Sequence, residues 1–243
     1  MPAPTLNAEG AISAGTTGSR TPTIPAHVAD DILWLTCMYW GPNTAGTLGV
    51  IPTPTDWNIA ATVKQGEDGR VSWFWLRATA AGTTVTVDLP TGADTGTDTC
   101  FAVTVDVIRG CATTGTPYDA ATTGGPHTAS NQSTPIVTVS GSERFGLVGV
   151  GVMDNTAVTS ATGYTAGTNR TTTTGTDATI RNLTQADVSS NIAAATTVIA
   201  APANAGSAYI MLGVAFIPPL VADRLPSSLV VPANQAVQRA AVR

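Results

Sequence analysis

The chain reads as an all-β protein, an antiparallel β-sandwich of about 200 residues followed by a tail of different composition. Three observations predict this. Asp98–Gly110 alternates with period two, Phe101, Val103, Val105 and Val107 on one side and Ala102, Thr104 and Asp106 on the other. Threonine supplies about one residue in six while charged residues are only 11%, a balance that suits strands and disfavours long helices. Short apolar runs are punctuated throughout by Gly, Pro, Asn and Asp. With 243 residues, 43% of them hydrophobic, the chain is long enough to bury a sizeable core.

In chain order, Met1–Asn7 is a Pro/Ala/Thr lead-in, Gly10–Ala14 a short first strand, and Gly15–Ser19 a turn. Asp31–Trp40 places Ile32, Trp34, Thr36, Met38 and Trp40 on one face and Leu33, Leu35, Cys37 and Tyr39 on the other. Both faces are apolar, so this strand should be covered on both sides. Trp57–Lys64 and Arg70–Ala78 form a hairpin through Gln65–Gly69, whose Asp68-Gly69 pair tolerates positive φ. Thr83–Leu89 alternates as a further strand and leads through Pro90–Thr97 into the central strand, where the Phe101 side is expected to be the core face. Cys111–Ser133, poor in large hydrophobics, reads as a long surface loop. Pro135–Ser140, Glu143–Asp154, Thr171–Thr174, Thr179–Leu183, Thr196–Ala201 and Ser207–Ile217 supply the remaining strands. Gly146, Gly149 and Gly151 in one of these, and Gly206 and Gly213 in another, favour close backbone approach within the sandwich, with a subunit contact as the other reading.

Composition changes at Pro218-Pro219: no threonine follows Thr197, and Arg224, Arg239 and Arg243 stand against Asp223 alone. Three segments result, a lead-in and first strand over 1–19, a β-sandwich body over 20–218 and a docking arm over 219–243. Leu220, Val221, Leu225, Leu229, Val230, Val231 and Val237 are the arm's partner-binding residues. Pro232 can open a short helix with Ala233, Ala236, Val237, Ala240 and Ala241 as its apolar stripe, which needs something to dock on.

The formal net charge of -5, with Lys64 the only lysine, argues against a nucleic-acid surface. Residues 1–20 lack a basic and apolar secretory pattern, and no apolar run reaches membrane-spanning length. Cys100 and Cys111 bracket one strand and so lie on the order of 35 Å apart, beyond disulfide reach; buried thiols are the expectation.

No catalytic, metal or cofactor constellation assembles. His27 and His127 lack ligand-spaced partners. Asp30/Asp31 and Glu67/Asp68 are neighbours that strand or turn geometry sends apart. Gly92–Gly96 lacks the lysine and helix of a phosphate loop. Trp34, Trp40, Trp57, Trp73 and Trp75 cluster in the first third of the chain. They read as half-core residues sealing one end of the sandwich; alternatively Trp73 and Trp75, which share a face, form a platform for a sugar ring, which requires solvent-open indoles.

The order of motifs is more specific than any one of them. Pro25-Ala26-His27 with Asp31-Ile32-Leu33, then Pro54-Thr55-Asp56-Trp57, then a Trp73–Ala80 strand, Val107-Ile108-Arg109-Gly110, and Gly213–Pro219 together resemble a family of tailed-bacteriophage and prophage virion proteins, commonly labelled minor tail proteins. In that family "PAH..GD.L", "P.GW" and "..I.RG" segments recur within a sandwich of jelly-roll type. Asp30 and Asp56 stand where the family has glycine. The resemblance covers roughly residues 20–218. It implies a non-enzymatic virion protein without cofactors, made in the host cytoplasm, assembling with other virion proteins and copies of itself through the arm. The readings beside it are a capsid decoration protein and a host-surface glycan-binding module; a hydrolase lacks a site.

Overall fold

The computed structural model describes residues 3–42, 48–65, 69–80, 83–127, 132–133, 137–141, 143–154, 157–158, 163–175, 177–188, 196–197 and 209–219. Among them there is no helix. The strands are β1 (Thr5–Glu9), β2 (Ser13–Gly15), β3 (Ile32–Trp40), β4 (Asn58–Gln65), β5 (Gly69–Arg77), β6 (Cys100–Arg109) and β7 (Tyr118–His127), followed by β8 (Gln132–Ser133), β9 (Arg144–Val152), β10 (Thr165–Ala166), β11 (Arg170–Thr172), β12 (Ala178–Val188), β13 (Thr196–Thr197) and β14 (Tyr209–Phe216).

They form two antiparallel six-stranded sheets, ordered β1-β6-β3-β5-β4 with β2 also on β6, and β10-β12-β9-β14-β7 with β11 also on β12; β8 and β13 make a separate small pair. The chain therefore completes one sheet before starting the other. That is not the alternation of strands between sheets that a jelly roll requires, so the sandwich expectation holds and jelly-roll wrapping is not seen among the described residues.

Three apolar layers explain the composition. Trp34, Met38, Val71 and Trp73 of the first sheet meet Leu147, Ile180, Leu212 and Phe216 of the second to form the layer between the sheets. The outer face of the first sheet, with Leu33, Leu35, Phe74, Phe101, Val103 and Val105, is roofed by loop residues Leu48, Ile51, Trp57, Val85 and Val87. The outer face of the second, with Val148, Val150, Val152 and Met211, is covered by Val137, Val158 and Tyr164. β3 is thus covered on both sides, as its two apolar faces require.

The central strand corrects the sequence reading in one respect. Its Phe101–Val107 side packs under the loop roof, and the side carrying Ala102, Thr104 and Asp106 faces the partner sheet; both sides are buried. The Phe101 side is a core face as expected, but the polar side is buried too, because the sheet is roofed by loops on one side and packed on the second sheet on the other.

Other elements shift. β1 pairs with β6 within the stretch read as lead-in. Thr83–Leu89 forms no ladder; Val87 makes a single bridge to Arg20 instead. The stretch read as a surface loop contains β7, which completes the second sheet beside β14 through small residues, Leu212 opposite Thr123 and Gly213 opposite Thr122. Its ladder needs backbone groups and modest side chains, so poor hydrophobicity did not exclude it. The hairpin of β4 and β5 lies where expected, in register from Asn58 opposite Trp75 to Gln65 opposite Gly69. Glycines in β9 serve internal packing: Cβ positions on Gly149 and Gly151 would stand 2.8 Å from Trp73 Nε1 and 3.2 Å from Met38 Sδ.

Candidate functional site

Two of the residue sets singled out in the sequence end differently in the structure. Leu220, Val221, Leu225, Leu229, Val230, Val231 and Val237, with the helix expected after Pro232, lie outside the described residues. The chain approaches them from a well-anchored point: Ile217 donates its N–H to Pro117 O at 2.8 Å and accepts from Ala112 N at 2.8 Å.

The tryptophan platform is corrected. Trp73 is fully buried between the sheets, against Gly149, and Trp75 is half-buried with its ring edge-on to Tyr118 at 6.3–6.4 Å spacing typical of this cluster, Trp34–Tyr118 at 6.3 Å and Trp75–Tyr118 at 6.4 Å. Both do share a face, but that face is the inter-sheet core, so Trp73 offers no surface to a sugar.

Three of the stretches singled out in the sequence do meet at one corner of the first sheet, where Asp30 N donates to Ala78 O at 2.8 Å and Arg109 holds Asp31. The first is a four-residue turn, Val28 to Asp31, closed by Asp31 N donating to Val28 O at 3.3 Å, with Asp30 at φ 69 in its third position. Asp31 is 2% exposed. Its carboxylate accepts from Val28 N at 2.9 Å and is gripped by Arg109 from the far end of β6, Nε to Oδ1 at 2.9 Å and Nη2 to Oδ2 at 2.8 Å. Burial works against the charge on Asp31, but the Arg109 fork and the Val28 amide outweigh it and hold its carboxyl below the ordinary range. His27, also buried, accepts from Thr83 N on Nε2 at 3.3 Å, which leaves Nδ1–H to donate to Pro25 O at 2.8 Å. Both ring nitrogens are occupied structurally.

The second motif repeats the device. Trp57 N donates to Pro54 O at 3.1 Å, closing a turn whose third residue, Asp56, has φ 67. Trp57 is buried in the roof of the first sheet. Asp30 and Asp56 therefore occupy the same slot of two separate turns, the position where positive φ favours Gly and tolerates Asp.

A polar centre that sequence reading missed lies between the sheets. Asp106 and Asn182 are 0% exposed and Arg170 6%. Arg170 Nη1 donates to Asp106 Oδ1 at 2.5 Å and its Nη2 to Oδ2 at 3.2 Å; Asn182 Nδ2 donates to Oδ2 at 2.7 Å and Gly10 N to Oδ1 at 3.1 Å. Burial pushes the Asp106 carboxyl up, with Arg170 and Asn182 pulling the other way. The signal that could have revealed it is an aspartate in mid-strand flanked only by apolar residues, which requires a buried cation somewhere in the chain. This network ties β6 and the loop before β2 to β11 and β12, and so fixes one sheet on the other.

At the opposite end of β3, Pro42, Ala93, Asp94, Thr95, Gly96, Thr97, Asp98 and Thr99 line an open depression. No group of three or more His, Cys, Asp or Glu among the described residues is placed to hold a metal ion. No family model, curated protein or solved structure matches this chain.

Proposed function

We propose that the protein is a non-enzymatic structural component of a tailed-bacteriophage particle, a minor tail protein by resemblance, whose sandwich is the body and whose segment 219–243 attaches it to neighbouring virion proteins or to copies of itself. One observation carries the reading. The two glycine positions of the family's motifs fall on Asp30 and Asp56, and both have the positive φ, at the same turn position, that would account for glycine there. Chance alternation imitates strands, but it has no reason to place the departures from the family's pattern on the two turns whose backbone asks for that pattern.

The residues of the motifs act architecturally: Asp31 and Arg109 join two strand ends, and His27 and Trp57 close the roof. Such a corner gives a rigid body rather than a reaction centre. The Leu, Val and Ala content of 219–243 supplies the apolar anchors by which an extended arm adds to a neighbouring surface.

The experiment is to delete Pro219–Arg243 and, separately, to tag the full chain and image purified particles. The truncated protein is expected to stay folded, because β14 and the Ile217 bonds remain, and to be missing from particles. Full occupancy of the truncated protein would overturn the role of the arm, and absence of the tagged chain from particles would overturn the virion reading. The position of the tag separates tail from head.

A further inference from the structure

Six residues form a closed circuit around the middle of the sandwich. Thr36 on β3 stands in register with Thr104 on β6 and with Trp73 on β5. Two residues along the same face of β6 is Asp106, which accepts from Asn182 of the opposite sheet. Asn182 is in register with Gly149 on β9, and Gly149 lies against the indole Nε1 of Trp73, which closes the circuit. All of the side chains in it are 0% exposed.

Four polar atoms on this circuit have no hydrogen-bond partner among the described residues: Trp73 Nε1, Thr36 Oγ1, Thr104 Oγ1 and Asn182 Oδ1. They are chemically complementary. The indole N–H can only donate, the amide oxygen can only accept, and the two hydroxyls can do either. Four such groups left unmet in one apolar layer would be costly, and buried polar atoms in folded proteins are almost always satisfied by protein or by ordered water. In-register neighbours can meet directly, as the Thr62 and Ser72 hydroxyls do at 2.8 Å, but the Thr36 and Thr104 hydroxyls do not, which leaves them for a bridging molecule.

Gly149 is what brings the donor to the acceptor. A Cβ there would stand 2.8 Å from Nε1, so only a glycine lets the rigid indole edge reach the strand next to Asn182. We propose that the centre of the sandwich is a built water site, in which internal water bridges Trp73 Nε1 of the first sheet to Asn182 Oδ1 of the second, with the Thr36 and Thr104 hydroxyls as its further partners. The site requires two to four polar partners per water, and the circuit supplies four. It also makes the tie between the sheets polar at its middle and apolar around it.

The test uses the full chain. A high-resolution crystal structure is expected to show ordered water density within hydrogen-bond reach of both Trp73 Nε1 and Asn182 Oδ1. In solution, the indole proton of Trp73 is expected to give a rotating-frame cross peak at the water frequency. That peak should weaken or vanish in the double variant Thr36→Val with Thr104→Val, which keeps the side-chain shapes but removes two of the water's four partners. An indole that donates directly to Asn182 with no density between them would overturn the proposal. So would a crystal structure of the parent chain with no ordered density at that position, whatever the cross peak does, since hydroxyl protons alone can give the peak.

Discussion

Arg109 holds Asp31 by two parallel hydrogen bonds, 2.9 Å from Nε and 2.8 Å from Nη2, across 78 residues of sequence. The pair sits where β6 ends and β3 begins, so it fastens the two strands that form the middle of the first sheet. It is half open to water, Arg109 being 44% exposed at its side chain, and its role is geometric more than energetic.

The pH dependence of Asp31 follows from its depressed pKa. A carboxyl whose folded pKa lies below its unfolded value contributes stability that is present above the unfolded value, near 3.9, and lost as pH falls through the folded one. Asp119, held down by Arg144 and Ser140 against the opposing effect of burial, has the same sign; Asp106, raised by burial, has the opposite one. Asp31→Asn should therefore be less stable than the parent at pH 7, and the gap should close below about pH 4. Urea midpoints of both proteins from pH 7 to pH 2 check this, and a gap independent of pH would remove Asp31 from the account.

Breaking the buried pair should cost far more than breaking the exposed one. Asp106→Ala leaves Arg170 charged and unpaired between the sheets, and Arg170→Met does the same to Asp106, so each is expected to lose about 3–5 kcal/mol. The double variant Asp106→Ala with Arg170→Met should recover part of that loss, because it leaves no orphaned charge. A double-mutant cycle by denaturant unfolding gives the coupling; additive losses would show that the two residues act separately.

The turns offer a test of their own. At Asp56, φ 67 suits glycine, so Asp56→Gly should leave stability unchanged or slightly raised, while Asp56→Val should cost about 1–2 kcal/mol for a β-branched residue in the left-handed region. The same order is expected at Asp30, whose φ is 69. If valine is tolerated as well as glycine at both sites, the turn geometry does not explain the aspartates.

The thiols should be silent in the native state. Cys37, Cys100 and Cys111 are free and buried, and burial pushes Cys100 and Cys111 up to about 12. Reducing agent is expected to leave the melting temperature unchanged, and a thiol reagent near neutral pH should label none of the three until denaturant is added. Stoichiometric labelling of the folded protein would place at least one cysteine at the surface.

What the sequence by itself determined is whatever repeats locally. The alternation of Asp31–Trp40, the hairpin around Asp68-Gly69 and the apolar runs of β9 and β14 were legible because strand period and turn chemistry are written within ten residues of chain. The two turns ending at Asp31 and Trp57 were legible as motifs, though not as positive-φ positions occupied by aspartate. Only the tertiary structure decided what each face meets. Val85, Val87 and Ile51 cover the first sheet from loops that have no period, so the Phe101 face became the roofed side and the Asp106 face the interior. Arg170 and Asn182 reach Asp106 from 64 and 76 residues away, and no local rule pairs a mid-strand aspartate with a particular cation that distant. Trp73 likewise became a core residue because Gly149, from the other sheet, lacks the one carbon that would have kept its indole out.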